Sequence, residues 1–233
     1  FSIDYWDIEI EDTIRAPGAQ LSLDQCAETG NPLFCGFVNR SPNGSLWTGT
    51  AGWMDTALSN FGESHYEGID LEGDYSMAVF EGNLSISALA TYMLTKETQP
   101  YVDIPSSLVD CVGTLDSSTC FATPEIRGTV TAVYSQDDWT LGAKMRIFGD
   151  VDYTGSTDQI AAGELGDIQS YLDLFGTYTF MEDNNATLRL GVNNVLDEEP
   201  PMVGGTLSSN GNSIAGFYDT LGRFMYGKLT YRL

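Results

Sequence analysis

Leu84-Ser85-Ile86-Ser87-Ala88-Leu89-Ala90-Thr91-Tyr92-Met93-Leu94-Thr95 alternates in character from one residue to the next. Leu84, Ile86, Ala88, Ala90, Tyr92 and Leu94 fall on one side of a period-two pattern, with Ser85, Ser87, Thr91 and Thr95 on the other. That is the signature of a β-strand with one apolar and one wet face. The pattern returns on either side. Ile126, Val130, Ala132 and Tyr134 oppose Arg127, Thr129 and Thr131. Trp139, Leu141, Ala143, Met145 and Ile147 oppose Thr140, Lys144, Arg146 and Asp150, and in both stretches the charge is confined to one face. Similar alternation at 66–79, 170–181, 186–196 and 219–233, together with 1–14, 83–95, 126–135 and 139–149, gives eight strands. In the first, the phase switches between Tyr5 and Trp6, which predicts a β-bulge or the point where the strand changes environment.

The connections alternate in length. Phe80–Gly82, Gln136–Asp138 and Glu182–Asn185 are short, whereas 15–65, 96–125, 150–169 and 197–218 are long. In a meander this places every short turn at one end and every long loop at the other, as in outer-membrane barrels with short periplasmic turns and long extracellular loops. Strands of this length exceed the 5–6 residues typical of globular sheets and meet the roughly 9–11 needed to cross a bilayer tilted. Tyr134, Trp139, Phe180 and Tyr231 sit where an interfacial aromatic girdle is expected.

Composition agrees with this reading. The chain has 233 residues, with 33 Asp and Glu against 10 Lys and Arg, a net charge of −23. Such a charge repels nucleic acid, and no basic stripe in the sequence offsets it. With 42% hydrophobic and 12% aromatic residues the chain can bury enough apolar surface to fold. No run approaches the roughly 18 apolar residues of a membrane helix. The mean hydropathy of −0.12 suits a soluble protein, but equally a membrane barrel, whose strands average a lipid face with a wet one. The chain begins at Phe1 within a strand pattern, without an initiator Met, as a mature product or a piece of something longer would.

Four cysteines form two local pairs, Cys26 with Cys35 and Cys111 with Cys120. Three connectivities are possible, and two local bridges are expected over zinc binding, because there is no C-x-x-C and the one histidine, His65, is remote in sequence. Bridges imply an oxidising compartment.

The end of the chain carries a more specific pattern. Leu188-Arg189-Leu190-Gly191-Val192-Asn193-Asn194-Val195-Leu196-Asp197-Glu198-Glu199-Pro200-Pro201 is followed by Tyr218-Asp219-Thr220-Leu221-Gly222-Arg223-Phe224-Met225-Tyr226-Gly227-Lys228-Leu229-Thr230-Tyr231-Arg232-Leu233. Together these closely resemble the C-terminal signature of TonB-dependent outer-membrane receptors, L-x-x-G-V-x-N-L-F-D-x-x-P-P and then a Y-D-x-x-G-R-x-[FY] strand. Asn193, Asn194, Asp197, Pro200, Pro201, Tyr218, Asp219, Gly222 and Arg223 carry the match. Ile3 to Ile14 and Tyr66-Glu67-Gly68-Ile69-Asp70 also look like that family. Two positions depart from it: Leu233 stands where such barrels commonly end in Phe, and Val195-Leu196 replaces Leu-Phe.

The resemblance implies an all-β fold, an antiparallel transmembrane β-barrel, of which residues 1–233 form about the last eight of 22 strands. The plug, the TonB box and the first fourteen strands then lie outside this sequence. It also implies TonB-energised uptake of a nutrient (siderophore-iron, cobalamin or carbohydrate) across the cell outer membrane of a Gram-negative bacterium. The implied partners are the TonB-ExbB-ExbD complex acting through the plug, outer-membrane lipid and a small nutrient ligand. An independent eight-stranded barrel with a structural or adhesive role, or a soluble β-sandwich binding glycan, are the alternatives.

Other motifs are weaker. Asp70, Glu72, Asp74, Arg127, Lys144, Arg146, Asp173 and Arg189 are expected to give the lumen a mixed charge. Asp150, Asp152, Thr154 and Asp158 have the spacing of the first half of a calcium loop, with Gly155 at the sixth position, but Ala161 stands where the bidentate Glu belongs. No other cofactor is expected. Among the loop aromatics, which include Phe61, Tyr66 and Phe121, the ligand-binding candidates are Trp47, Trp53, Tyr101, Tyr153 and Phe217. Aromatic platforms flanked by hydrogen-bonding groups suit sugars or planar organic ligands. The anionic loops disfavour an acidic ligand. Catalysis is not expected, since His65 has no nucleophile elbow to serve.

Overall fold

The computed structural model describes residues 1–47, 52–115, 120–154, 167–180, 186–203 and 213–232, the Phe61 side chain excepted. Eight strands follow one another: β1 (Ser2–Arg15), β2 (Ser59–Val79), β3 (Gly82–Gln99), β4 (Ile126–Gln136), β5 (Trp139–Phe148), β6 (Gln169–Phe180), β7 (Ala186–Asn193) and β8 (Phe224–Tyr231). Each pairs with the next in sequence order, β1 and β8 standing at the two ends of the path, and the two-residue strand Val109–Asp110 pairs β3 to make the ninth. The described pairings from β3 to β8 are antiparallel, so the fold is the all-β meander expected from the alternation.

The register turns the alternation of single strands into two continuous faces. One row runs Ala88, Val130, Met145, Leu172, and the next Ala90, Gly128, Ile147, Ser170. Farther on, Leu174 lies opposite Val192 and Val192 opposite Met225, while Leu188 lies opposite Leu229. Across the paired residues of β3–β8 this face carries no charged side chain. Its apolar groups stay uncovered, with Leu141, Leu190 and Leu229 between 56% and 67% exposed. An exposed apolar area of this extent is the mark of an interaction surface. A band spanned by strands that are polar on the other side is the mark of lipid. The opposite face holds Arg127, Lys144, Arg146, Asp173, Arg189 and Lys228.

Turn chemistry fixes the short ends. Phe80 (φ 53°) and Asp137 (φ 44°) are left-handed at the first position of their two-residue turns, which matches the twist of hairpin strands. Phe80 is 96% exposed. The turn expected at Glu182–Asn185 lies outside the described residues.

Several boundaries differ from the sequence reading. β2 begins at Ser59 and β3 runs to Gln99, so the long loops between them and their neighbours are shorter than expected. β7 stops at Asn193 because Asn194 is left-handed (φ 50°). β8 begins only at Phe224, since Gly222 is left-handed (φ 66°) and holds 218–223 as a turn. β1 is a strand from Ser2 to Arg15 and holds a left-handed residue at Asp12 (φ 56°).

Two compact units divide the chain: Phe1–Ile8, His65–Glu97 and Val109–Leu233 in the first, Glu9–Ser64 and Thr98–Leu108 in the second. The second contains two helices in what read as loop, α1 (Ala19–Thr29) and α2 (Pro32–Gly36). Gly30 ends α1 in the left-handed conformation (φ 67°), and Asn31 Oδ1 accepts the Leu33 N–H (2.9 Å), with Pro32 opening α2. Gly at the end of one helix and Asn-Pro at the start of the next are ordinary cap chemistry. Cys26–Cys35 joins the two helices, and the fully buried Phe34 meets Tyr101 edge-on at 5.8 Å. The second bridge, Cys111–Cys120, is buried in the first unit.

Candidate functional site

A connected polar network lies on the charged face, where β5, β6 and the segments after β7 meet. Arg146 on β5 donates from Nη2 to Asp173 on β6 (3.0 Å) and to Asp219 (2.8 Å). Both carboxylates are close to buried, with side chains 14% and 15% exposed. Asp173 also accepts the Asn194 N–H (2.8 Å), and the fully buried Asn194 closes a ring with Glu198: its Nδ2 donates to the Glu198 carbonyl (2.8 Å), and its Oδ1 accepts the Glu198 N–H (2.9 Å). Charge-assisted bonds of this kind are stronger than neutral ones.

The family-like residues form the next layer. Asp197 Oδ1 accepts the Arg223 N–H (2.8 Å), and Arg223 Nε donates to the Val195 carbonyl (3.0 Å). A methyl group at Gly222 would sit 3.2 Å from Asp197 Oδ1 and would have to adopt a left-handed backbone. Gly222 therefore lets the Arg223 amide reach Asp197. Pro201 is buried, Pro200 half-buried, and Asn193 lies opposite Phe224 in the β7–β8 register. Through these bonds Asn194, Asp197, Asp219 and Arg223 clamp the segments after β7 to the wall and to the start of β8.

Aromatic rings fill the space above the clamp. Phe148, Tyr171, Phe217 and Tyr218 pack edge to face, with centroids 4.6–6.1 Å apart, a favoured geometry for such pairs. Arg146 lies over Tyr171 at 5.0 Å and Arg127 over Phe148 at 5.1 Å. Burial pushes the Tyr218 hydroxyl up to about 12, with the Tyr171 hydroxyl adding to the effect. Phe217, a ligand-binding candidate, is thus part of internal packing. Tyr101 packs on Phe34 and its hydroxyl accepts the Gly18 N–H (3.1 Å). Trp47 and Trp53 are 80% and 53% exposed, and Tyr153 belongs to a two-residue strand paired with Thr114–Leu115. Trp47, Trp53 and Tyr101 belong to the second unit, Tyr153 and Phe217 to the first.

The calcium candidates take an extended form where they are described. Asp152 pairs with Thr114, and Thr154 donates its N–H to the Leu115 carbonyl (3.1 Å). Asp158 lies outside the described residues, which gather no group of three or more His, Cys, Asp or Glu side chains around a cation site. His65, on β2, bonds Asp7 on β1 (2.9 Å) and lies 3.8 Å from Glu97 on β3.

The chain matches the family model described as TonB dependent receptor-like, beta-barrel, over residues 1–195. No curated protein matches it. Among solved structures, the ferric enterobactin receptor PfeA of Pseudomonas aeruginosa is similar in several mutant forms. Three match with a TM-score of 0.57 and 18% identity, one of them in complex with enterobactin. Another, also in complex with enterobactin, matches with a TM-score of 0.55 and 17% identity. Each alignment covers 98% of this chain and 28% of the solved one, so the sequence spans about a quarter of the length of those receptors.

Proposed function

We propose, from the premise that this chain belongs to the TonB-dependent receptor β-barrel family, that it forms wall and extracellular loops of an outer-membrane receptor for TonB-energised nutrient uptake. The observation that carries this reading is the charge-free apolar face continuous from β3 to β8, set against an opposite face that holds all the charge of the paired residues. Lipid takes the first face and the lumen takes the second. The clamp around Arg146 and Asp197 keeps the long segment after β7 fixed to the lumenal wall, while the exposed Trp47 and Trp53 offer capture surface on the loops. The chain supplies binding surface and no catalysis. Energy from the inner membrane reaches such a receptor through TonB, ExbB and ExbD acting on its plug.

The nutrient is siderophore-bound iron, cobalamin or carbohydrate. The solved relatives are ferric enterobactin receptors, and a likeness at 18% identity speaks for the fold alone. Uptake of labelled candidates by cells expressing the full-length protein, with and without a functional TonB, tests the reading. Accumulation of one candidate that is lost without TonB supports it. A protein that remains soluble in the periplasm, outside the membrane fraction, refutes it.

A further inference from the structure

We propose that the inner wall between β7 and β8 holds a small multivalent oxyanion, phosphate or carboxylate in class, between Arg189 and Lys228, a reading that rests on the barrel assignment above. The two cations stand directly opposite each other in the antiparallel register. Like charges in that position repel, since facing Cβ atoms are only about 5 Å apart. Neither has a carboxylate within ion-pair distance among the described residues, where the paired cations are His65, Arg146 and Arg223. In a chain with 33 acids and 10 bases, an unopposed pair of bases is the arrangement that composition makes least frequent.

Both side chains are exposed on this wall. The Arg189 guanidinium lies over the Phe175 ring at 5.3 Å. A methyl group at Gly142 would fall into that ring, and one at Gly191 would fall into the Tyr226 ring. Both aromatic rings therefore lie flat across neighbouring glycines on this wall, and Phe175 fixes where the guanidinium sits. Thr187 and Thr230 form the next pair on the same face, the Thr187 hydroxyl lying 3.4 Å from that of Thr179. A guanidinium fork and an ammonium together match an oxyanion with more than one charge. The pair lies three residues in from the Ala186–Tyr231 end of the β7–β8 register, the end of the short connections and so away from the anionic loops that disfavour an acidic ligand.

The test uses the full-length protein in neutral detergent at low ionic strength, where screening is weak, with the thermal midpoint followed by tryptophan fluorescence. Sodium pyrophosphate and sodium citrate, each against sodium chloride of equal ionic strength, are the probes. At least one raises the native midpoint on the order of 2–4 °C and leaves the double variant Arg189→Gln, Lys228→Gln unmoved. Without either anion, the variant melts above the native protein because the repulsion is gone. Equal rises in both proteins, or none in the native, overturn the proposal. A variant that melts lower without anion also overturns it, since an acidic stretch of polypeptide then already pairs with the two cations. The barrel reading is scored apart from this: a protein that stays soluble and monomeric without detergent removes it, whereas a detergent-requiring protein indifferent to both anions removes the oxyanion site alone.

Discussion

Arg146 stands between Asp173 and Asp219, whose carboxylates face inward with little water around them. Without the guanidinium, two acids remain close together, and the segment after β7 loses its tie to the wall. Arg146→Met is expected to lower stability by about 2–3 kcal/mol, read as a drop in the midpoint of urea unfolding. A second residue-scale expectation concerns His65, the chain's only histidine. It lies about fifteen positions from the Phe80–Glu81 turn, beyond the roughly 9–11 residues that cross the membrane. The Asp7 hydrogen bond raises its affinity for a proton, with the Asp7, Glu97 and Glu67 charges adding and partial desolvation opposing. The folded value thus lies above the ordinary 6.5. The stabilisation from this pair is complete below about pH 6.5 and is lost as pH rises through the higher folded value. An NMR titration of His65 should show a midpoint above 6.5 that falls in Asp7→Asn. A midpoint unchanged by that substitution would contradict the assignment. Both sites were hard to read in the sequence, because Arg146 and Asp219 are 73 positions apart and His65 and Asp7 are 58.

The strands were legible one by one, since β4 and β5 alternate without a break and their turn is two residues long. What alternation leaves open is register. Where the mixed lumenal charge falls from strand to strand is visible only once neighbours are aligned: Arg127, Lys144, Arg146, Arg189 and Lys228 stand against Asp173 on the paired inner positions of β4–β8, while the acids Asp70, Glu72 and Asp74 lie on β2. Alternation and helical periodicity do not reveal α1 and α2, because they are short and periodicity over 11 and 5 residues is weak. Gly30-Asn31-Pro32 was the available signal. The apolar pattern runs past the end of β7 and the start of β8, because left-handed Asn194 and Gly222 leave no trace in it. The Cys111–Cys120 bridge carries an element-scale prediction. It flanks Thr114–Leu115, which pairs with Asp152–Tyr153. Closing so short a loop contributes about 2–3 kcal/mol by chain entropy, so Cys111→Ser with Cys120→Ser should speed amide exchange at Asp152 and Thr154, whose N–H groups bond the Gly113 and Leu115 carbonyls, while β5 and β6 stay protected.

At the scale of the molecule, a net charge of −23 is compatible with a membrane protein because the charge is sorted by face and by position along each strand. Val130, opposite Ala88 and Met145 near the middle of the charge-free face, should reject a charge: Val130→Lys is expected to cost about 2–4 kcal/mol in the folded fraction recovered from the membrane. Ser87→Lys, on the other face of β3, should change it by less than about 0.5 kcal/mol. The direct measurement is a spin-label scan along Ile126–Gln136 in the full-length protein reconstituted in lipid, comparing collisions with oxygen, which concentrates in the bilayer, and with a water-soluble nickel chelate. Positions 128, 130, 132 and 134 should favour oxygen, and 127, 129, 131 and 133 the chelate, alternating with a period of two. Equal access of the chelate to both sets would contradict a lipid-facing wall.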